Sequence, residues 1–405
     1  MRCLRSSITC ISRAKIVSLP VTRGIPSSGR TGGLPAPPRQ RGCGSSVSPG
    51  GAPACAAPPE AMRASCAQAE LESRLFCDFE QSGMSQIFQP LDGWFVTGAT
   101  ASGKTAVGCA LAERIGGEVI SVDSMAVYQG LDIGTAKPTP AERKRVAHHL
   151  IDVLPPTEEF SLAQYVALAH QAAADVRSRG REVVFVGGTP LYLKALLRGL
   201  YTGPAPDWQF RAEMAARAAS ERPGWLHAQV ARVDPAAAAR LHPGDRRRLI
   251  RALEVYHLTG TPLSTWQQQF EQARPAEACR VFWLDWPRPV LYARIEARVD
   301  AMFDAGLVEE VHRLLAAGVH FSRTARQALG YREVLEHLHS ARDLAATVAL
   351  VKTRSRQFAK RQLTWLRSEA GAEWFDALDS GAIGRMSGRI GEWLAGEAMG
   401  GPGMR

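Results

Sequence analysis

"WFVTGATASGKTAVG", residues 94–108, decides the fold. A short apolar run reaches Gly98, a loop of small residues follows, and a stretch with helical character opens at Lys104. Gly98, Gly103, Lys104 and Thr105 fit G-x-x-x-x-G-K-[ST] with a strand before and a helix after, the context this motif needs. Glycines let backbone N–H groups curl around phosphate oxygens, and the helix N-terminus adds its dipole. Lys104 supplies a point charge, and the Thr105 hydroxyl can ligate Mg2+. The bland alternative is a glycine-rich turn with a chance lysine. Lysine is scarce here, seven residues against 42 arginines, which weakens that alternative.

Outward from the loop, strand and helix patterns alternate. The spacing predicts a strand over 93–97, a helix over 104–115 stopped at Gly116–Gly117, and a second strand in "EVISVDS". Ser161 with Gln164 three residues on is a capping box, opening a helix that runs to Gly180. "REVVFVGGT" is a third strand and "RVFWLDW", 280–286, a fourth. Such alternation argues for an α/β fold, a P-loop NTPase-like parallel sheet flanked by helices. Residues 206–270 are helical and polar and read as an insertion; the chain after Arg288 is helical to about Trp393. The expected division is an extension over 1–90, a core over 91–205, the insertion over 206–270, and a return strand with a helical C-terminal part over 271–395.

Composition sets outer limits. The formal net charge is +10, but residues 1–59 carry eight of the bases and no acid, so nucleic-acid binding needs a local basic face. Residues 1–90 are rich in Gly, Pro, Ser and Arg without periodicity and read as disordered, either a mitochondrial transit segment or a functionless upstream extension. No stretch approaches the ~20 apolar residues that span a bilayer. Of eight cysteines only Cys109 and Cys279 lie beyond residue 77, which is neither a disulfide framework nor a zinc site, and a reducing cytoplasm fits. Asparagine is absent, which excludes the N-K-x-D guanine-reading signature.

A phosphate loop alone leaves the ligand open. The third strand ends in "GGTP" and not in an acid. The available carboxylate is Asp123, at the end of the second strand, where a parallel sheet gathers its ligands; a cap for the following turn is its structural alternative.

"GATASGKT", "ISVDSMAVYQGLDIGTAKP", "VGGTPLYLKALL", "HPGDRRRLIRALEVY", "ALGYRE" and "AKRQLTWLR" occur in this order over residues 93–367 and closely resemble the bacterial-type tRNA dimethylallyltransferases. Ala99 stands where that family usually has proline, at a position that contributes backbone. The resemblance implies that Gly98, Ala99, Thr100, Ala101, Ser102, Gly103, Lys104 and Thr105 hold the diphosphate of dimethylallyl diphosphate, with Mg2+ on Thr105. It implies catalytic roles for Lys104, Asp123, Thr189 and Arg298: Asp123 as base, Thr189 beside the target adenine, and Arg298 on the diphosphate. Salt bridging of Arg298 to Glu296 or Asp300 is the alternative, and for Thr189 a turn-satisfying hydroxyl.

The implied partner is the tRNA anticodon stem-loop, bound by a monomer. Its contacts would fall at Asp123, Ser124, Met125 and Ala126, at Thr189 and Arg211, and along Arg247, Arg248, Leu249, Ile250 and Arg251. Two further stretches are Arg326, Gln327, Ala328, Leu329, Gly330 and Tyr331, then Lys360, Arg361, Gln362, Leu363, Thr364, Trp365, Leu366 and Arg367. Tyr331 is either a stacking platform for a splayed base or a core residue. Lys352, Arg356 and Lys360, spaced four apart, form a stripe that tracks phosphates or a solvated helix face. The competing function is an ATP-dependent small-metabolite kinase with the same loop.

Overall fold

The computed structural model describes residues 87–201, 203–267, 280–368, 372–377, 379 and 381–399. The expected extension lies outside these residues up to 86. Its far end is corrected: β1 (Ile87–Phe88) already pairs antiparallel with β6 (Leu200–Tyr201).

The spine is a six-stranded sheet. β2 (Trp94–Gly98) lies between β5 (Glu182–Gly187) and β7 (Val281–Asp285). β3 (Gly117–Val122) flanks β5, β4 (His148–His149) forms one edge, and β8 (Glu373–Asp376) the other. All pairings in it are parallel. Residues of β2 and nearly all of β5 and β7 are buried, as continuous apolar runs require when helices cover both sheet faces. One face carries the larger core, with Phe95, Phe185, Ile120 and Trp283; the other carries Trp94, Val96, Val184 and Phe282.

α1 (Lys104–Ile115) leaves the phosphate loop and ends at Gly116, which is left-handed at φ 69°. A Cβ on Gly108 would lie 2.4 Å from Val186, so glycine here lets α1 press onto β5. α2 (Pro140–Arg145) precedes β4. α3 (Leu162–Ser178) begins with the expected Ser161–Gln164 capping box. α4 (Pro190–Arg198) follows Thr189.

Residues 208–266 contain helices and no strand: α5 (Trp208–Ser220), α6 (Trp225–Val233), α7 (Pro235–Arg240), α8 (Arg246–Thr259) and α9 (Leu263–Trp266). They share a small core of their own, including Leu226, Val230, Leu249 and Leu253. After β7 come α10 (Arg288–Asp304), α11 (Leu307–Ala316), α12 (Tyr331–Leu338), α13 (Leu344–Leu366), β8 and α14 (Ala382–Met399). The expectation that everything after Arg288 is helical misses β8. Its residues, "EWFD", include only one that is buried, so no apolar run marks the strand.

Candidate active site

The loops after β2, β3 and β5 open at the carboxyl edge of the sheet, and a cavity of about 450 Å³ lies there. Thr100, Ala101 and Lys104 line it from the phosphate loop, Asp123, Ser124 and Met125 from the turn after β3, and Gly188 and Thr189 from the turn after β5. Arg298 enters from α10, and Gln327, Leu329, Gly330, Arg354, Phe358 and Arg361 from the C-terminal helices and turns. Ile295, Val299 and Met302, from the same helix as Arg298, and Val351 add apolar lining.

The phosphate loop is held from outside by its carbonyls. The Ala101 carbonyl accepts from Arg294 Nε at 2.9 Å, and the Ser102 carbonyl from Trp286 Nε1 at 2.9 Å. The Arg294 guanidinium also stacks on Trp286, 4.2 Å from the ring centroid. The Ala99 carbonyl accepts from Lys104 Nζ at 3.3 Å and from the Ser102 N–H at 3.2 Å. With its acceptors engaged, the loop presents donors, as an anion site requires. Gly103, at φ 87°, makes the left-handed turn into α1. Arg294 is therefore an outer brace of the loop, although sequence spacing places it one turn from Arg298.

One loop donor is already used. The Thr100 N–H donates to Gln362 Oε1 at 2.8 Å, while Gln362 Nε2 donates to the Gly188 carbonyl at 2.7 Å. Backbone donor and acceptor together fix the orientation of this buried amide. Gln362 thus ties the phosphate loop to the turn that carries Thr189. A Cβ at Gly188 would lie 2.7 Å from Gln362 Nε2 and from the Gly98 carbonyl, so the glycine is what allows this close approach.

Burial and the neighbouring Arg298 push the Lys104 ammonium down to about 8, against a raising influence of Asp123. Burial also lowers Arg298, and Asp123 again opposes it. Glu296 and Asp300 are engaged elsewhere: Glu296 pairs with Arg356, and Asp300 meets Lys352 at 2.6 Å. Asp123 accepts through Oδ1 from the Met125 N–H at 2.8 Å and the Ala126 N–H at 3.3 Å. It therefore caps its turn and also faces the cavity. The Thr189 hydroxyl accepts from the Ser124 N–H at 3.3 Å, joining the turns after β3 and β5.

Several expected tRNA contacts are corrected by burial. Tyr331 is fully buried; its hydroxyl donates to Glu310 at 2.6 Å and accepts from the Gly134 N–H at 3.0 Å. It is a core residue that cannot stack on a base. Burial and Glu310 push its phenol far up. The side chains of Leu249, Ile250, Leu363 and Leu366 are likewise buried in the apolar cores, whereas Ala328 and Gln362 are buried and line the cavity. The stripe is corrected too. Lys352 and Arg356 face α10 through Asp300 and Glu296, which leaves Lys360 exposed at its end. Exposed side chains in the expected contact stretches are Arg247, Arg248, Arg326, Gln327, Lys360, Arg361, Thr364 and Arg367. Arg211 and Arg251 are half-buried and both bind Glu254, at 2.8 Å and 2.5 Å.

Sequence reasoning missed the brace Trp286 and the buried Glu310, whose carboxylate accepts the N–H groups of Asp132 and Ile133. An acid at a helix position gives no sequence signal of the loop it will hold.

The IPP transferase family model matches residues 126–369. A tRNA dimethylallyltransferase from Geobacter metallireducens is 45% identical over 295 residues, covering 71% of this chain and 96% of that protein. One from Trichlorobacter lovleyi is 47% identical over 279 residues, covering 69% and 92%. The chain belongs to the IPP transferase family. Among solved structures, a full-length tRNA isopentenylpyrophosphate transferase from Bacillus halodurans aligns with a TM-score of 0.56 at 38% identity, over 75% of this chain and 97% of that one. A eukaryotic dimethylallyltransferase described as acting on tRNA aligns with a TM-score of 0.61 at 26% identity, over 75% and 79%.

Proposed function

We propose that the chain is a tRNA dimethylallyltransferase. It would move the dimethylallyl group of dimethylallyl diphosphate to N6 of adenosine 37 in tRNAs that read codons beginning with U. The observation that carries this reading is one cavity holding Lys104, Arg298 and Asp123 beside an apolar lining. The cations suit the diphosphate and the lining of Ile295, Val299 and Met302 suits the hydrocarbon.

Adenine N6 is a weak nucleophile because its lone pair is delocalised. Attack forms the N–C bond, breaks the C–O bond to diphosphate, and leaves a proton on nitrogen. Asp123 takes that proton. Its Oδ1 is fixed by two backbone N–H groups, while Oδ2 takes no hydrogen bond from the described residues. Lys104, Arg298 and the loop N–H groups stabilise the charge gathering on the departing diphosphate. The bonds through Gln362 and Thr189 keep leaving-group loop and acceptor turn at a set distance, which serves alignment.

The donor set also fits Mg2+. This ion prefers few protein oxygens together with substrate phosphates, and a diphosphate carries more charge than Lys104 and Arg298 neutralise. The Thr105 hydroxyl would hold it beside the phosphates, where it would supply further charge neutralisation.

Arg247, Arg248, Arg361 and Arg367, with Arg211 in the 206–270 insertion, are the candidate contacts for the anticodon stem-loop, and the target base would be flipped into the cavity. The enzyme would act as a monomer in the cytoplasm, or in mitochondria if the first 90 residues are a transit segment. Among the described residues no helix is long and apolar enough to cross a membrane. The relatives' names favour this reading over the small-metabolite kinase. The deciding assay offers the protein tRNA, Mg2+ and labelled dimethylallyl diphosphate, or ATP with candidate metabolites. Label in tRNA at adenosine 37 supports the transferase; phosphate transfer from ATP with unlabelled tRNA would overturn it.

A further inference from the structure

Trp208, the first residue of α5, is 53% exposed. Two guanidinium groups pack on its ring: Arg211, with Cζ 4.9 Å from the centroid, and Arg323, with Cζ at 4.5 Å. Arg211 is immobilised, because its Nε and Nη2 both donate to the fully buried Glu254 at 2.8 Å. Arg323 is loosely held: its side chain is 57% exposed and reaches Glu159 only at 3.7 Å. It comes from a different part of the chain, the turn that continues into Gln327 at the cavity wall. Gln327 Nε2 donates to the Arg323 carbonyl at 3.1 Å, so the turn that brings the arginine to Trp208 also reaches the cavity wall. Arg326, exposed on the same turn, adds positive charge.

We propose that Trp208 is a stacking platform for an unpaired base of the tRNA loop, outside the cavity that takes the target adenine. This rests on the transferase reading above. An unpaired base has a π-face that stacks equally on an indole or a guanidinium plane. The fixed Arg211 holds one side of the indole, and the loosely held Arg323 moves to cover the incoming base. The phosphates flanking that base meet Arg323 and Arg326. A protein partner would also use an exposed tryptophan with arginines. Continuity with the cavity mouth favours the RNA that must already lie there.

The test is binding of the full chain to anticodon stem-loops, each with one abasic nucleotide at a different loop position outside the target. Wild type, Trp208→Ala and Trp208→Phe are compared, with thermal unfolding and dimethylallyl diphosphate affinity as controls. Trp208→Ala should weaken the intact loop by about five- to a hundredfold, the range for one stacked base. Trp208→Phe should retain most of the affinity. At one abasic position the alanine effect should vanish, which names the stacked nucleotide through a double-mutant cycle. Equal weakening at every position, or no weakening at all, overturns the proposal; the second result leaves Trp208 to a protein contact. If wild type neither binds tRNA nor transfers label, the transferase reading has failed. If wild type does both and Trp208→Ala matches it, only this inference has.

Discussion

Gln362 offers the sharpest test of the site's construction. Its amide is 2% exposed and spans from the Thr100 N–H at 2.8 Å to the Gly188 carbonyl at 2.7 Å. Gln362→Met keeps the volume and removes both bonds. Each backbone group left without a partner costs about 1–3 kcal/mol, so the variant should lose roughly 2–6 kcal/mol less whatever relaxation recovers. Relaxation means movement of the phosphate loop away from the turn that carries Thr189. A displacement of about 1 Å between reacting groups costs on the order of 10² in rate. Single-turnover transfer should therefore fall about a hundredfold, while tRNA affinity, governed by the outer surface, changes by only a few-fold. Gln362→Glu separates the two bonds. It keeps an acceptor for Thr100 but sets a carboxylate oxygen against the Gly188 carbonyl and negative charge beside the phosphate loop. Diphosphate binding should weaken in this variant more than in Gln362→Met. A Gln362→Met protein that melts lower yet transfers at the wild-type single-turnover rate would show that the bridge stabilises the fold without aligning the reaction.

Four further outcomes are expected. Asp123→Ala should lower kcat by roughly 10²–10⁴, with tRNA affinity much less affected; the reverse pattern would make Asp123 a capping residue only. Burial and Arg298 push the Lys104 ammonium down to about 8, and diphosphate would favour its charged form, so dimethylallyl diphosphate affinity should hold below pH 8 and decline above it. Affinity that is flat to pH 10 would refute this. Changing Lys352, Arg356 and Lys360 together to Gln should make the salt slope of tRNA binding shallower by only about 0.7–0.9, one contact, since two of the three side chains face α10; a change near two units would restore the phosphate-tracking stripe. Tyr331→Phe should cost about 1–3 kcal/mol in urea unfolding, by leaving the Gly134 N–H and Glu310 short of a partner; unchanged stability would count against the buried bridge.

The stripe on α13 shows where sequence reading stops. Spacing of four correctly places Lys352 and Arg356 on one helix face, but periodicity cannot say what packs there. The partners Glu296 and Asp300 are themselves four apart on α10, so the two helices match charge to charge. Sequence reading offers those same acids to Arg298, their close neighbour; the fold turns Arg298 inward, to the cavity. The parts that were legible are local: the strand–loop–helix around Lys104, the Ser161 capping box, and the apolar runs of β5 and β7. Each is specified within a few residues. The 262-residue separation of Thr100 and Gln362 has no local signature, although the motif containing Gln362 was visible.

Buried glutamates organise much of what the site displays. Glu254 binds Arg211 and Arg251 and also accepts from the Asp207 N–H. Burial pushes its pKa up, but the hydrogen bonds from both arginines outweigh this and leave the carboxyl below its ordinary value. Glu333 does the same with Arg332 and Arg354 while accepting from the Gly330 N–H. Both carboxylates are 0% exposed, so each is tolerable only with its full set of donors. In both cases two arginines meet one buried carboxylate, which fixes their guanidinium groups. A flexible arginine loses rotamer entropy when it grips a phosphate, and an arginine already pinned by a buried acid has lost most of that entropy on folding. That is a physical reason for a chain with few lysines and many arginines to pin partly exposed arginines on buried acids.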